Sequence, residues 1–244
     1  MNPDGQLLSA SGLHKRFDAL VVLDQVGLTL SAGEAIGIVG PNGAGKTTLL
    51  GVLSGAHKPN AGVVRLRGAD VTRLGAAERC RLGIARTHQV PRSFGGMTVF
   101  ENMLVAAGQG GGFSGDDAYD RCFESLTVCG MRAIANRRAE TLGLLDRKRL
   151  ELARALATDP AVLLLDEIGG GLTDGEAGEL VAAIQDLLRR GIAIIWIEHI
   201  VHILLQVAGR LICMDAGRVI ADGKPQDVLA DRAVIDAYFG EDAA

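Results

Sequence analysis

The eight residues Gly40-Pro41-Asn42-Gly43-Ala44-Gly45-Lys46-Thr47 constrain this chain more than any other stretch of it. They fit the pattern GxxxxGK[ST], which works only at the junction of a buried strand and a helix. Its glycines let the backbone take positive φ and approach a ligand closely. Successive N–H groups then point into one concavity that cradles phosphates, and the following helix aims its N-terminus at the same anion. The surroundings agree: the apolar run Ile36-Gly37-Ile38-Val39 precedes the motif, and a helical stretch, Lys46–Leu53, follows it. Gly40, Pro41, Asn42, Gly43, Ala44, Gly45, Lys46, Thr47 and Thr48 are therefore the expected nucleotide contacts. Lys46 is expected to reach the β- and γ-phosphates, and the Thr47 hydroxyl to bind Mg²⁺.

A second signal lies far downstream. Val162-Leu163-Leu164-Leu165 reads as a buried parallel strand ending in Asp166-Glu167. Beside a P-loop, the first acid is expected to hold Mg²⁺ and the second to act as base toward an attacking water. Strand-like and helix-like segments alternate throughout, which points to an α/β fold. The other expected strands are Leu7–Leu13, Val22–Leu30, Ala35–Val39, Val63–Leu66, Ile192–Ile197, Arg210–Met214 and Arg218–Ala221. Helices are expected at Val99–Ala107, Asp116–Cys129 and Arg147–Ala157, with a mobile glycine-rich loop at Gly108–Gly115. This helical block reads as an insertion into one core, and the tail after Gly223 as short helices. No internal repeat is visible.

Composition removes several function classes. Lys+Arg total 25 against 29 Asp+Glu, a net charge of −4, which makes the chain a poor candidate for binding nucleic acid by phosphate neutralisation. Aromatics at 4% leave no base-stacking platform. The 48% hydrophobic content is that of a folded protein, and the glycines lack the three-residue period of collagen. Cys80, Cys122, Cys129 and Cys213 form no CxxC pair, which argues against zinc. With no secretory pattern in Met1–Ala10, they read as reduced thiols of a cytosolic protein. No apolar run approaches the roughly 18–20 residues of a membrane span.

Further residues complete a pattern. Phe17 lies ahead of the P-loop, Thr87-His88-Gln89 ends a strand-like run, and Glu198-His199 follows another. Leu150-Glu151-Leu152-Ala153-Arg154-Ala155-Leu156 reads as a helix. In this order, and over nearly the whole length, the chain resembles the ATP-binding subunits of ABC transporters. The resemblance implies a P-loop NTPase core of the ABC ATPase type, with an antiparallel β portion and a helical subdomain at about 95–158, all in one domain spanning 1–244. It implies ATP and Mg²⁺ as cofactors, with Phe17 stacking on adenine, Gln89 as a Mg²⁺ and water ligand, and His199 contacting the γ-phosphate. Lys46, Gln89, Glu167 and His199 would form the catalytic set, and Thr47, Gln89 and Asp166 the metal ligands.

Within that family the chain is most similar to the larger ATPase of branched-chain amino acid transporters. The marks are Ala85-Arg86-Thr87-His88-Gln89, Met97-Thr98-Val99-Phe100-Glu101-Asn102, Arg149–Leu156 and the ending Val234-Ile235-Asp236-Ala237-Tyr238-Phe239-Gly240. The implied partners are transmembrane permease subunits and a second ATPase subunit, with a solute-binding protein met only indirectly. The implied location is the cytoplasmic face of the cell membrane, held peripherally. Two other readings stay open: an ATP-binding regulatory subunit with little turnover, and the ATPase of a related lipid or lipopolysaccharide exporter.

One departure bears on activity. The family signature, LSGGQ or LSYGD/E, becomes Leu142-Gly143-Leu144-Leu145-Asp146. In the family this turn contacts the ATP held by the opposite subunit. Gly143 has no hydroxyl to donate, and Leu145 is bulky where close backbone approach is needed. Ile168 replaces the proline that usually follows the catalytic glutamate, and Gly170-Gly171-Leu172-Thr173 ends without the usual Asp or Asn. The expectation is an asymmetric pair with a non-identical ATPase.

Overall fold

The structure is a computed structural model that describes residues 5–239. Gly240, the last residue of the family-like ending, and Met1–Asp4 lie outside the described residues. The strands are β1 (Gln6–Phe17), β2 (Leu20–Ser31), β3 (Ala35–Val39), β4 (Ala61–Leu66), β5 (Ala69–Asp70), β6 (Ile84–Arg86), β7 (Val162–Asp166), β8 (Ala193–Ile197), β9 (Arg210–Asp215) and β10 (Arg218–Gly223). The helices are α1 (Lys46–Leu53), α2 (Ala76–Arg81), α3 (Val99–Val105), α4 (Gly115–Val128), α5 (Leu144–Leu156), α6 (Asp174–Arg189), α7 (Val201–Leu204), α8 (Pro225–Ala230) and α9 (Arg232–Phe239).

Two sheets form. An antiparallel one runs β2-β1-β4-β5, and a six-stranded one runs β10-β9-β3-β8-β7-β6. In the larger sheet β3 pairs in parallel with β8 and β9, and β7 in parallel with β6 and β8. Its central strands are apolar on both faces, and alternate residues enter different cores. Ile36, Ile38, Val162, Leu164, Ile195 and Ile197 face the side of α1 and the antiparallel sheet. Val39, Leu163, Leu165, Ile194 and Trp196 face the side of α5 and α6. Gly37 is required inside β3, because a Cβ there would meet the Leu204 side chain at 2.6 Å.

This layering brings the carboxyl ends of β3, β6, β7 and β8 to one edge, where open α/β sheets bind their ligands. The P-loop helix α1 is fixed from behind. Arg79, fully buried on α2, donates to the Val52 and Leu53 carbonyls at 2.7 and 2.8 Å, and also to Thr72 and Leu74 carbonyls. Val52 and Leu53 lie in the last turn of α1, where the intrahelical donors run out and a cation suits the negative end of the dipole.

Three expectations need correction. The glycine-rich segment is not a free loop: Ala106–Gly111 continues α3 as a π-helical turn. Gly111 packs against Phe113 and Thr158, so the absent side chains let this turn sit close to its neighbours. The helix expected from Arg147 begins three residues earlier, at Leu144. Finally, α6 was not anticipated. It is capped by Thr173, whose Oγ1 accepts from the Glu176 N–H while the Glu176 carboxylate accepts from the Thr173 N–H. That T-x-x-E capping box was the missed signal. It also gives Thr173 a local role in place of the Asp or Asn of the family pattern.

Candidate nucleotide site

Backbone geometry explains the glycines at two P-loop positions. Gly40 has φ 142°, and a Cβ on it would lie 2.0 Å from the Met214 carbonyl oxygen. Gly45 has φ 97° as the N-cap of α1, with the Val22 carbonyl 2.5 Å from a would-be Cβ. The loop is thus wedged between β2 and the end of β9. Tyr238 on α9 adds a distant tie, its hydroxyl accepting from the Gly40 N–H at 2.7 Å. A cavity of about 190 Å³ opens above the loop, lined by Val22, residues 42–48 and Glu167.

Lys46 is buried and folds back on the loop, donating to the Gly40 and Pro41 carbonyls at 2.6 and 2.9 Å. Burial lowers its pKa, opposed by the charge of Glu167 and, more weakly, of Asp166. The Thr47 hydroxyl lies 3.3 Å from Asp166 Oδ1. Asp166, 1% exposed at the end of β7, is paired through Oδ2 with Arg86 Nη2 at 2.8 Å. Its N–H donates to Thr87 Oγ1. Arg86 was not singled out for this role by the sequence reading. It sits one strand away in parallel register, where the Arg86–Leu164 pairing puts it beside the strand end that carries Asp166.

Glu167 follows with φ 48°, its N–H held by the Ile197 carbonyl at 2.9 Å. Its carboxylate accepts from Gln89 Nε2 and lies 2.7 Å from His199 Nε2. Two residues that follow separate strands, Gln89 after β6 and His199 after β8, therefore converge on the carboxylate that follows β7. Oxygen donors fit Mg²⁺, which is held through one or two carboxylates, a hydroxyl and substrate phosphates rather than an all-protein cage. No cluster of three His, Cys, Asp or Glu suited to a metal occurs among the described residues. The four cysteines are all free.

Phe17 does not line the cavity; Val22 does. Phe17 is 42% exposed at the end of β1, edge-on to His57 with ring centroids 5.3 Å apart, and Lys15 Nζ lies 4.6 Å from its ring centre. The expected signature residues also lie outside that cavity. Leu142 is buried, Gly143 is the N-cap of α5 with φ −68° and ψ 174°, and Leu144, Leu145 and Asp146 form the first helical turn. Leu144 is half exposed, and its side chain reaches Gly171. Gly143 makes no side-chain cap, and a Cβ on it would meet nothing within 4 Å. Gly143→Ser should therefore supply the missing acceptor and stabilise the fold by a few tenths of a kcal/mol, roughly 1 °C in Tm. A thermal melt that falls instead would show that this turn is strained.

Comparison with known proteins gives the family. Residues 23–169 match the family described as ABC transporter, and residues 218–244 that described as branched-chain amino acid ATP-binding cassette transporter. The chain is 37% identical to the high-affinity branched-chain amino acid transport ATP-binding protein LivG of Escherichia coli (strain K12), over 96% of this chain and 98% of that one. It is 33% identical to the lipopolysaccharide export system ATP-binding protein LptB of Acidithiobacillus ferridurans, over 97% and 98%. The ADP conformation of MJ1267, an ATP-binding cassette of an ABC transporter, superposes with a TM-score of 0.87 at 30% identity, covering 97% of this chain and 99% of that one.

Proposed function

The chain belongs to the ABC transporter family as one of its ATP-binding subunits, and from that premise we propose that it is a Mg²⁺-dependent ATPase driving import of branched-chain amino acids or similar small polar solutes. The observation that carries this reading is the convergence of Gln89 and His199 on Glu167, beside Lys46, Thr47 and Asp166. The match of residues 218–244 supports the solute class.

Phosphoryl transfer asks little covalent chemistry of a protein and much positioning. Lys46 would leave the Gly40 and Pro41 carbonyls for the β- and γ-phosphates, exchanging neutral acceptors for charged ones. Thr47, Asp166 and Gln89 would hold Mg²⁺, which when bound neutralises phosphate charge. Glu167 would orient and deprotonate the attacking water, with His199 and Gln89 fixing its carboxylate. Phe17, 42% exposed, would stack on adenine. The subunit would sit peripherally at the cytoplasmic membrane face, beside permease subunits and a second, non-identical ATPase. It would meet a solute-binding protein only through them. No helix among the described residues is long and apolar enough to cross a membrane.

Lys46→Ala removes a charge-assisted contact worth roughly 1.5–3 kcal/mol. ATP affinity should fall about tenfold or more. Titration calorimetry that shows unchanged binding would remove the P-loop from the reading. The likeness to the lipopolysaccharide export protein supports a second solute class. Mass spectrometry of the membrane subunits that co-purify with the chain separates the two: amino acid permeases support import, and lipopolysaccharide-exporting subunits overturn it.

A further inference from the structure

We propose that α5 sets the geometry of the hydrolytic site through two buried charges, Glu151 positioning Gln89 and Lys148 positioning the loop after Glu167. The proposal rests on the ATPase reading above and adds two positioning residues to it.

Lys148 and Glu151 are three residues apart, hence neighbours on one face of α5, and each is only 5% exposed. Glu151 grips the loop that bears Gln89 on both sides of it. One carboxylate oxygen lies 2.8 Å from His88 Nδ1, and the other accepts from the Arg92 N–H at 3.3 Å. Arg154, one turn further on, donates to that same oxygen at 3.1 Å and to the Arg92 carbonyl at 2.7 Å. Its guanidinium lies 5.3 Å from the centre of the Phe94 ring. Burial opposes ionisation of Glu151, but the His88 hydrogen bond and the Arg154 charge together hold its carboxyl below the usual range. The group is therefore a charged anchor with every oxygen engaged, the condition under which a buried charge is tolerated.

Lys148 grips the other loop. Its Nζ donates to the Gly170 carbonyl. The neighbouring Gly169 N–H donates to Glu198, which is 2% exposed and also accepts from Trp196 Nε1 at 3.2 Å. A Cβ on Gly169 would lie 2.9 Å from Glu198 Oε1, so a larger residue there would push against this carboxylate. The two gripped loops meet where Gln89 donates to Glu167. A displacement of α5 would thus move the amide and the carboxylate together, and an ångström of misplacement at such a site is costly in rate.

A purely structural role predicts lower thermal stability with unchanged kcat per folded molecule. The positioning role predicts a kcat loss that disappears once Gln89 is gone. The measurement uses the membrane complex captured through the tagged full-length chain, with MgATP as substrate. Lys46→Ala serves as the reference: if it retains wild-type turnover, the ATPase reading itself is wrong. Given that control, E151Q should lower kcat about tenfold or more with the KM for ATP little changed. The E151Q/Q89A double variant should be no slower than Q89A alone. K148M should show the same split between kcat and KM. His88→Ala removes one anchor at a partly exposed ring and should follow E151Q with a smaller loss, which keeps the test usable if E151Q does not fold. Multiplicative losses in the double variant, a change confined to KM, or unchanged kcat per folded molecule would overturn the proposal.

Discussion

Replacing Glu167 by glutamine should leave ATP bound and lower hydrolysis at this chain's own site by about 10²–10⁴, the range for losing a general base. In free energy that is about 2.7–5.5 kcal/mol of transition-state stabilisation. The substitution is well suited to isolate chemistry from folding. Glu167 is anchored through its backbone N–H to Ile197, which the side-chain change does not touch. A glutamine has the same shape and can still meet Gln89 and His199, but it cannot take a proton from water. Single-turnover hydrolysis of bound ATP is the measurement. A wild-type rate would remove Glu167 as the base and leave His199 to be tested in the same way.

The most buried elements were also the most legible in the sequence. β3 and α1 lie where the apolar run and the P-loop put them, because a strand–loop–helix is the only context in which those glycines work. β7 and β8 read as continuous apolar runs because both faces of the sheet are covered. Two of the misses fall where a glycine-rich composition suggested only flexibility. Gly108–Gly115 reads as a mobile loop, yet the glycines of Ala106–Gly111 are the small residues of a turn packed on Phe113 and Thr158. α6 follows a triple glycine that suggested only flexibility, and its start is marked instead by Thr173 and Glu176. In the site, motif residues could be named singly, but their meeting could not. That Gln89 and His199 share Glu167 depends on β6, β7 and β8 being neighbours. Arg86, Lys148 and Glu151 carry no motif of their own for these contacts, and their partners lie on other elements, so only the fold reveals them.

The second large effect follows from the proposed pairing of this chain with a non-identical ATPase. In the family's sandwich each ATP lies between the P-loop of one subunit and the signature turn of the other. This chain offers a complete P-loop side, and a signature turn that begins at an uncapped Gly143 and continues with Leu144 and Leu145 in the first turn of α5. The N-terminus of α5 has no side-chain cap, and a helix N-terminus favours an anion, but no serine hydroxyl stands beside it. Leu144 occupies the surface and reaches back to Gly171. Loss of one oriented phosphate donor costs about 2.7–4 kcal/mol in a transition state. A homodimer would carry that deficit at both sites. Beside a partner with an ordinary signature, one site would be whole, combining Lys46 and Glu167 of this chain with the partner's serine and glycine. The other would turn over roughly 10²–10³ times more slowly. Glu167→Gln should therefore nearly abolish transporter turnover, while the equivalent change in the partner should leave most of it. Making each substitution separately in the reconstituted complex and comparing ATPase rates tests this. Equal losses from the two, or vigorous turnover by this chain alone, would mean that Leu142–Asp146 functions as a signature and that its helix N-terminus suffices without the serine.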